Sequence, residues 1–179
     1  MKIIASFLVA GLLLAGFTDA AIADEHADAR TDEWDLGAWI DRHAGAEWSG
    51  PAELWIDPTG NEALTSGSRL RVVEDGIEYT WSFRGEKQLG RIRLHDGVLR
   101  WQDSWHQPDG VDLEPVKGHG ALMAGEYSYP AGAGPDWHWR IKLVVRPDDT
   151  PVLQMINIAP WGEEARAVRM VLETRAEVD

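Results

Sequence analysis

Apolar and polar residues alternate in short segments along most of the chain. In Ile77-Glu78-Tyr79-Thr80-Trp81-Ser82-Phe83 every second residue is apolar, and Trp137-His138-Trp139-Arg140-Ile141-Lys142-Leu143 repeats the pattern. A side-chain period of two puts Ile77, Tyr79, Trp81 and Phe83 on one face and Glu78, Thr80, Ser82 and Arg84 on the other, the signature of a sheet dry on one side only. The same reading predicts strands at Glu47–Asp57, Leu64–Val73, Ile77–Arg84, Gln88–Leu94, Val98–Trp105, Ala121–Tyr129, Trp137–Val145, Val152–Ile158 and Arg166–Arg175. Turn chemistry occupies the joints: Asp57-Pro58-Thr59-Gly60-Asn61, Glu74-Asp75-Gly76, Gly85-Glu86-Lys87, His95-Asp96-Gly97, Pro108-Asp109-Gly110 and Pro147-Asp148-Asp149-Thr150-Pro151.

Strands do not alternate with helical stretches, which excludes a doubly wound parallel sheet, and short joints make neighbouring strands pair. A meander of this many strands must close or stack to bury its apolar face. The prediction is therefore all-β: an antiparallel up-and-down barrel of about nine or ten strands. One short helix is expected over Asp32 to His43, with Asp32 as N-cap, an apolar stripe of Trp34, Leu36, Trp39 and Ile40, and Gly45 as terminator. Its expected role is a plug or lid against the sheet. Two longer connections, Gln107 to Gly118 and Pro130 to Asp136, read as mobile loops at a barrel mouth.

The amino-terminal segment has a different character. Lys2 precedes the apolar run from Ile3 to Phe17, and Ala21-Ile22-Ala23 follows as a small-x-small cleavage site, the layout of a secretory signal peptide. That run is about 15 residues, against the roughly 20 that span a bilayer, so no stable membrane anchor is expected. Phe17 stands where a lipoprotein box needs cysteine. The reading is a signal peptide over residues 1–23, a disordered polar leader over 24–31 and one barrel domain over 32–179, exported to the periplasm or beyond.

Composition narrows the chemistry. The 179 residues include ten tryptophans and no cysteine, so disulfides, thiolate metal sites and cysteine nucleophiles are excluded and packing alone must supply stability. A formal net charge of −13 makes nucleic acid and anionic membrane surfaces poor partners. Oligomeric state is left open by these features.

Glu47-Trp48-Ser49-Gly50 at the start of the first strand is similar to the glycine-tryptophan motif of the calycin group, the lipocalins and fatty-acid-binding proteins. A run of hairpins follows, and the closing strand ends in basic residues near Arg175. From about Gly45 to Arg175 the chain thus resembles that group and its uncharacterised exported bacterial members. The resemblance implies an interior cavity for an apolar small molecule. Bacterial barrels similar to the group sometimes hold haem through one imidazole, which makes His106, then His138, the haem candidates.

The densest polar and aromatic stretch is Leu99-Arg100-Trp101-Gln102-Asp103-Ser104-Trp105-His106. Alternation turns Leu99, Trp101, Asp103 and Trp105 to one face, so a carboxylate points inward among indoles. A buried carboxylate must be paired, hydrogen-bonded or protonated, hence either structural or available for acid–base work. Arg166, in phase with Val168, Met170 and Leu172, is the expected inward partner, to hold register or to grip a ligand carboxylate. His106 is expected at the rim, and His138 outside. No histidine pair has metal-ligand spacing, no Gly-x-Ser-x-Gly elbow occurs, and glycine-rich segments precede strands rather than helices. Pro160-Trp161-Gly162-Glu163 reads as a hairpin whose Trp161 caps the barrel or stacks on a ligand.

Three readings follow. The first is a binding protein that needs no cofactor and takes a small apolar ligand among Leu54, Tyr79, Trp81, Trp101, Trp105, Tyr127, Trp137, Trp139 and Met170, with Asp103, His106 and Arg166 at its polar end. The second is an isomerase, lyase or hydrolase using Asp103, His106 or Glu163 as acid and base. The third is a haem barrel.

Overall fold

The computed structural model describes residues 36–57, 62–117 and 120–176. The expected signal peptide and leader lie outside them, as do Asp32 and Trp34. The elements are α1 (Leu36–His43), β1 (Glu47–Leu54), β2 (Leu64–Val73), β3 (Gly76–Phe83), β4 (Glu86–His95), β5 (Val98–Asp103), β6 (Gln107–Pro115), β7 (Met123–Tyr129), β8 (Trp137–Val145), β9 (Pro151–Ile158), β10 (Glu164–Val171) and β11 (Thr174–Arg175). Each strand from β1 to β10 pairs antiparallel with the next, and β10 pairs back onto β1, so ten strands form a closed up-and-down barrel. Among the described residues no helix is long and apolar enough to cross a membrane.

Closure depends on one glycine. β1 pairs with β10 through Ala52, Glu53 and Leu54 and with β11 through Trp48 and Ser49. Gly50 sits where the partner changes, and a Cβ there would lie 1.9 Å from the Val171 carbonyl oxygen. Only a residue without a side chain lets the two backbones approach so closely.

Leu36, Trp39 and Ile40 form a buried stripe at spacings of three and four on α1, and Gly45 ends the turn at φ 79°. The helix plugs one end of the barrel. Trp39 stacks on Trp48 with ring centroids 5.6 Å apart, Val72 donates its N–H to the Ala46 carbonyl, and the Arg175 guanidinium lies 5.0 Å from the Trp48 ring centroid. In a meander the β2–β3, β4–β5 and β8–β9 turns share this end. The connections β1–β2, β3–β4, β5–β6, β7–β8 and β9–β10 form the opposite end, the mouth.

Two departures from the sequence reading are structural. Gln107 to Gly118, expected as a loop, is largely the strand β6: Gly110 takes φ 74° and the register against β5 shifts between Trp101 and Asp103, so Pro108-Asp109-Gly110 builds a β-bulge and not a turn. Side chains carry part of the pairing there, with Arg100 donating to the Asp109 carbonyl at 3.0 Å and Gln102 to the Pro108 carbonyl at 2.6 Å. β5 also ends at Asp103, which leaves Trp105 in a turn and not on the inward face of a strand.

Candidate functional site

The core divides along the barrel axis. Next to α1 the interior is aliphatic, with Leu70, Val72, Ile77, Ile92, Leu143, Leu153 and Leu172 at 1% exposure or less. Toward the mouth it turns aromatic and polar, because the inward positions of β3, β5, β7 and β8 are Tyr79, Trp81, Trp101, Asp103, Tyr127 and Trp139.

Asp103 is 0% exposed, and its bonds define the site. The Tyr79 hydroxyl donates to its Oδ2 at 3.2 Å and in turn accepts from Trp101 Nε1 at 2.7 Å. Oδ1 accepts the backbone N–H groups of Trp105 at 2.9 Å and His106 at 3.1 Å, and lies 3.2 Å from His106 Nδ1. Burial alone would raise the carboxyl pKa, but the His106 bond and charge and the two amides outweigh it and hold the pKa below the ordinary aspartate value. Asp103 is therefore an anion at neutral pH. Burial, the Asp103 charge and the bond to that carboxylate push the Tyr79 hydroxyl well above its usual value, so it stays a donor.

Space for this arrangement comes from Gly90, which faces Tyr79 across the β3–β4 ladder. A Cβ at Gly90 would lie 2.0 Å from Tyr79 Cζ. With Nδ1–H bonded to the carboxylate, the His106 imidazole presents Nε2 as its acceptor.

Rings surround His106. Trp105 lies 4.7 Å away, Trp139 4.8 Å and Trp101 6.2 Å between centroids. Trp105 is 42% exposed, stacks on Phe83 at 4.8 Å and is tilted against Trp81 at 5.3 Å. Tyr127 packs on Trp101 and on Tyr129, whose hydroxyl donates to Asn157 Oδ1 at 2.6 Å. Burial raises the Tyr127 hydroxyl to about 12, against a hydrogen bond with Gln107 that lowers it. Trp81 and Trp139, 1% and 5% exposed, bury indole Nε1 atoms with no hydrogen-bond partner.

Of the residues expected at a site, Tyr79, Trp81, Trp101, Asp103, Trp105, His106, Tyr127 and Trp139 come together in this cluster. Leu54 and Met170 belong to the buried core, and Trp137 is half-buried against exposed Trp161. Arg166 is the clear correction. A β-bulge between Arg166 and Val168 inserts Ala167 and reverses the facing, so Arg166 is exposed and rests 4.7 Å over the Trp55 ring. Glu163 is exposed and accepts from Trp161 Nε1 at 3.0 Å. His138 faces outward, 3.8 Å from Glu126, as expected.

Phe83, Gln107, Tyr129 and Asn157 were not among the expected site residues. Period two carried the signal for three of them: Phe83 is in phase with Tyr79 and Trp81, Tyr129 with Tyr127, and Asn157 with Leu153 and Met155. Among the described residues no group of three or more histidines and acids could hold a metal ion. For a haem, His106 Nε2 is the available imidazole in the mouth. The cluster offers three chemical elements: the faces of the partly exposed Trp105 and His106 rings, buried indole N–H groups without partners at Trp81 and Trp139, and a carboxylate-oriented imidazole.

Comparison with protein-family models, curated proteins and solved structures gave no match to this chain.

Proposed function

We propose that this is an exported calycin-like binding protein that takes an apolar small molecule into its aromatic mouth, at the end opposite α1. The observation that carries the reading is the concentration of half-exposed rings at that end: Trp105, His106, Tyr127, Tyr129 and Trp137 keep solvent contact while α1 seals the other end with buried ones. Exposed aromatic surface of this kind marks a binding site when it is concave and rimmed by polar groups. The Arg175 guanidinium over Trp48 supports the calycin-like reading, since it joins β11, which follows the closing strand, to the first-strand tryptophan that carries the resemblance.

Titration with N-phenyl-1-naphthylamine tests the function. Its emission is expected to rise and shift to the blue with saturable stoichiometry, and Trp105→Ala is expected to weaken binding by about tenfold or more. Unsaturable or absent binding, or binding indifferent to Trp105, removes the mouth as the site.

A second reading is favoured by one contact, the Asp103–His106 pair. A carboxylate that fixes the imidazole tautomer leaves Nε2 as a general base on a bound ligand. Loss of turnover in both Asp103→Asn and His106→Ala, with ligand binding retained, is the outcome that reading requires.

A further inference from the structure

We propose that the mouth selects uncharged, flat aromatic molecules bearing a hydrogen-bond acceptor, such as a ketone or quinone carbonyl, and rejects fatty-acid-type carboxylates. This deepens the binding reading above and rests on it.

Three observations lead to this class. The first is the unpaired donors. Trp81 and Trp139 bury N–H groups that find no acceptor, and an indole N–H can only donate. A buried polar group without a partner is destabilising, so a ligand acceptor arriving there recovers what the free protein lacks. Trp39 and Trp55 have the same deficiency in different settings. Trp39 is packed between His43 and Trp48 at the sealed end, and Trp55 lies beneath the Arg166 guanidinium. Trp81 and Trp139 instead lie directly under the two partly exposed rings Trp105 and His106, which touch each other.

The second observation is charge. Among the described residues the buried polar side chains are Ser68, Gln88, Asp103 and Thr150, so the one buried ionisable group with a charge is the Asp103 anion. The arginine expected inside is not there, since Arg166 faces out. Arg140 is tied to Glu126 at 2.6 Å and to Glu164, and the exposed Arg84 lies over the Phe83 ring at the rim. A carboxylate drawn into the mouth would lose its water, meet no buried cation and approach a second carboxylate. A neutral carbonyl accepts the same N–H bonds without that penalty.

The third is shape. Trp105 stacks on Phe83 with an interplanar angle of 22°, and Trp101 on Trp139 at 21°. Near-parallel planes accept another plane. Trp105 sits in the three-residue turn between β5 and β6, so its side chain can move outward, and a ligand ring stacks between it and Trp81.

Prodan, an uncharged naphthyl ketone whose emission reports polarity, is the probe, with carbonyl-free N,N-dimethyl-2-naphthylamine and sodium oleate as comparators on the purified full chain. Prodan is expected to bind with blue-shifted emission, about fivefold or more tighter than the carbonyl-free amine, and not to be displaced by an equal concentration of oleate. Trp81→Phe and Trp139→Phe keep a ring and remove the N–H. Each is expected to weaken Prodan by about fivefold while leaving the amine within about twofold. Equal affinity for ketone and amine in the wild-type protein, or displacement by oleate, overturns the selectivity while the mouth remains a binding site. Failure of all three compounds to bind removes the mouth reading and the inference with it. The wild-type comparison decides the matter even if a tryptophan variant does not fold.

Discussion

The two ends of the barrel use the same residue type for opposite ends. At the sealed end Trp39 and Trp48 are each 2% exposed, stacked on one another, and bounded by His43 and Arg175. At the mouth Trp105 is 42% exposed and packs against Trp81, whose indole N–H lacks a partner. A tryptophan enclosed on every side contributes stability. One enclosed on a single side contributes little stability and leaves a surface that something else can complete.

The largest expected effect separates these roles. Trp48→Ala removes a fully packed indole and is expected to cost about 3–5 kcal/mol in urea unfolding while leaving probe affinity in the folded fraction unchanged. Trp105→Ala is expected to cost under about 1 kcal/mol and yet to abolish most binding. Equal stability costs would mean that the mouth is ordinary core, and the contrast would collapse.

Next comes the carboxylate. Asp103→Ala strands the Tyr79 hydroxyl, two backbone N–H groups and the His106 ring, and is expected to cost about 2–4 kcal/mol. Gly90→Ala attacks the same group indirectly by driving Tyr79 from its place, at about 1–3 kcal/mol. If both act through the Tyr79–Asp103 bond, the double variant is expected to cost clearly less than the sum of the two. Additive costs would show that Gly90 serves the backbone alone.

Acid titration reads the two ends in separate windows. Burial lowers the His43 pKa below 6.5, with Arg175 and Arg42 acting in the same direction and Asp149 opposing. The unfolded chain therefore takes up this proton first, and stability present above about pH 6.5 declines as pH falls through the lowered value. The Asp103 pKa is lowered below 3.8, so its contribution is complete above that pH and is lost only as pH falls through the folded value. A shallow stability loss beginning near neutrality is expected from the sealed end, and a steeper one in strong acid from the mouth. His43→Gln is expected to remove the first phase alone; a first phase that persists assigns it elsewhere.

How much of this could be read from residues follows from what each one depends on. β2 and β8 were legible to the residue, β8 because its apolar positions alternate over the full strand and β2 because turn residues bound it and Leu70 and Val72 fix its phase. β6 was not: Val111 and Leu113 are nearly its whole apolar content, and Pro108-Asp109-Gly110 has the composition of a turn even where a bulge uses it. The inward carboxylate at Asp103 followed from period two. Its partners did not, because the Tyr79 hydroxyl comes from β3 and the His106 ring from a turn that ends the strand one step earlier than alternation implies. Gly50 and Gly90 were silent for a similar reason, since their necessity lies in backbone or ring atoms far away in sequence.

Arg166 carries the smallest expected effect and the sharpest lesson about register. Counting backward from Met170 and Val168 in steps of two places Arg166 inside, but one inserted residue at Ala167, whose carbonyl accepts the Trp55 backbone N–H at 2.9 Å, turns the guanidinium outward onto the Trp55 ring. An exposed cation over an indole is worth about 0.5–1 kcal/mol. Arg166→Gln is therefore expected to lower stability by no more than that and to leave Prodan and oleate binding as in the wild-type protein. A loss of binding of tenfold or more would put the arginine inside the mouth. That outcome would also restore a cation to receive a ligand carboxylate beside the buried anion at Asp103.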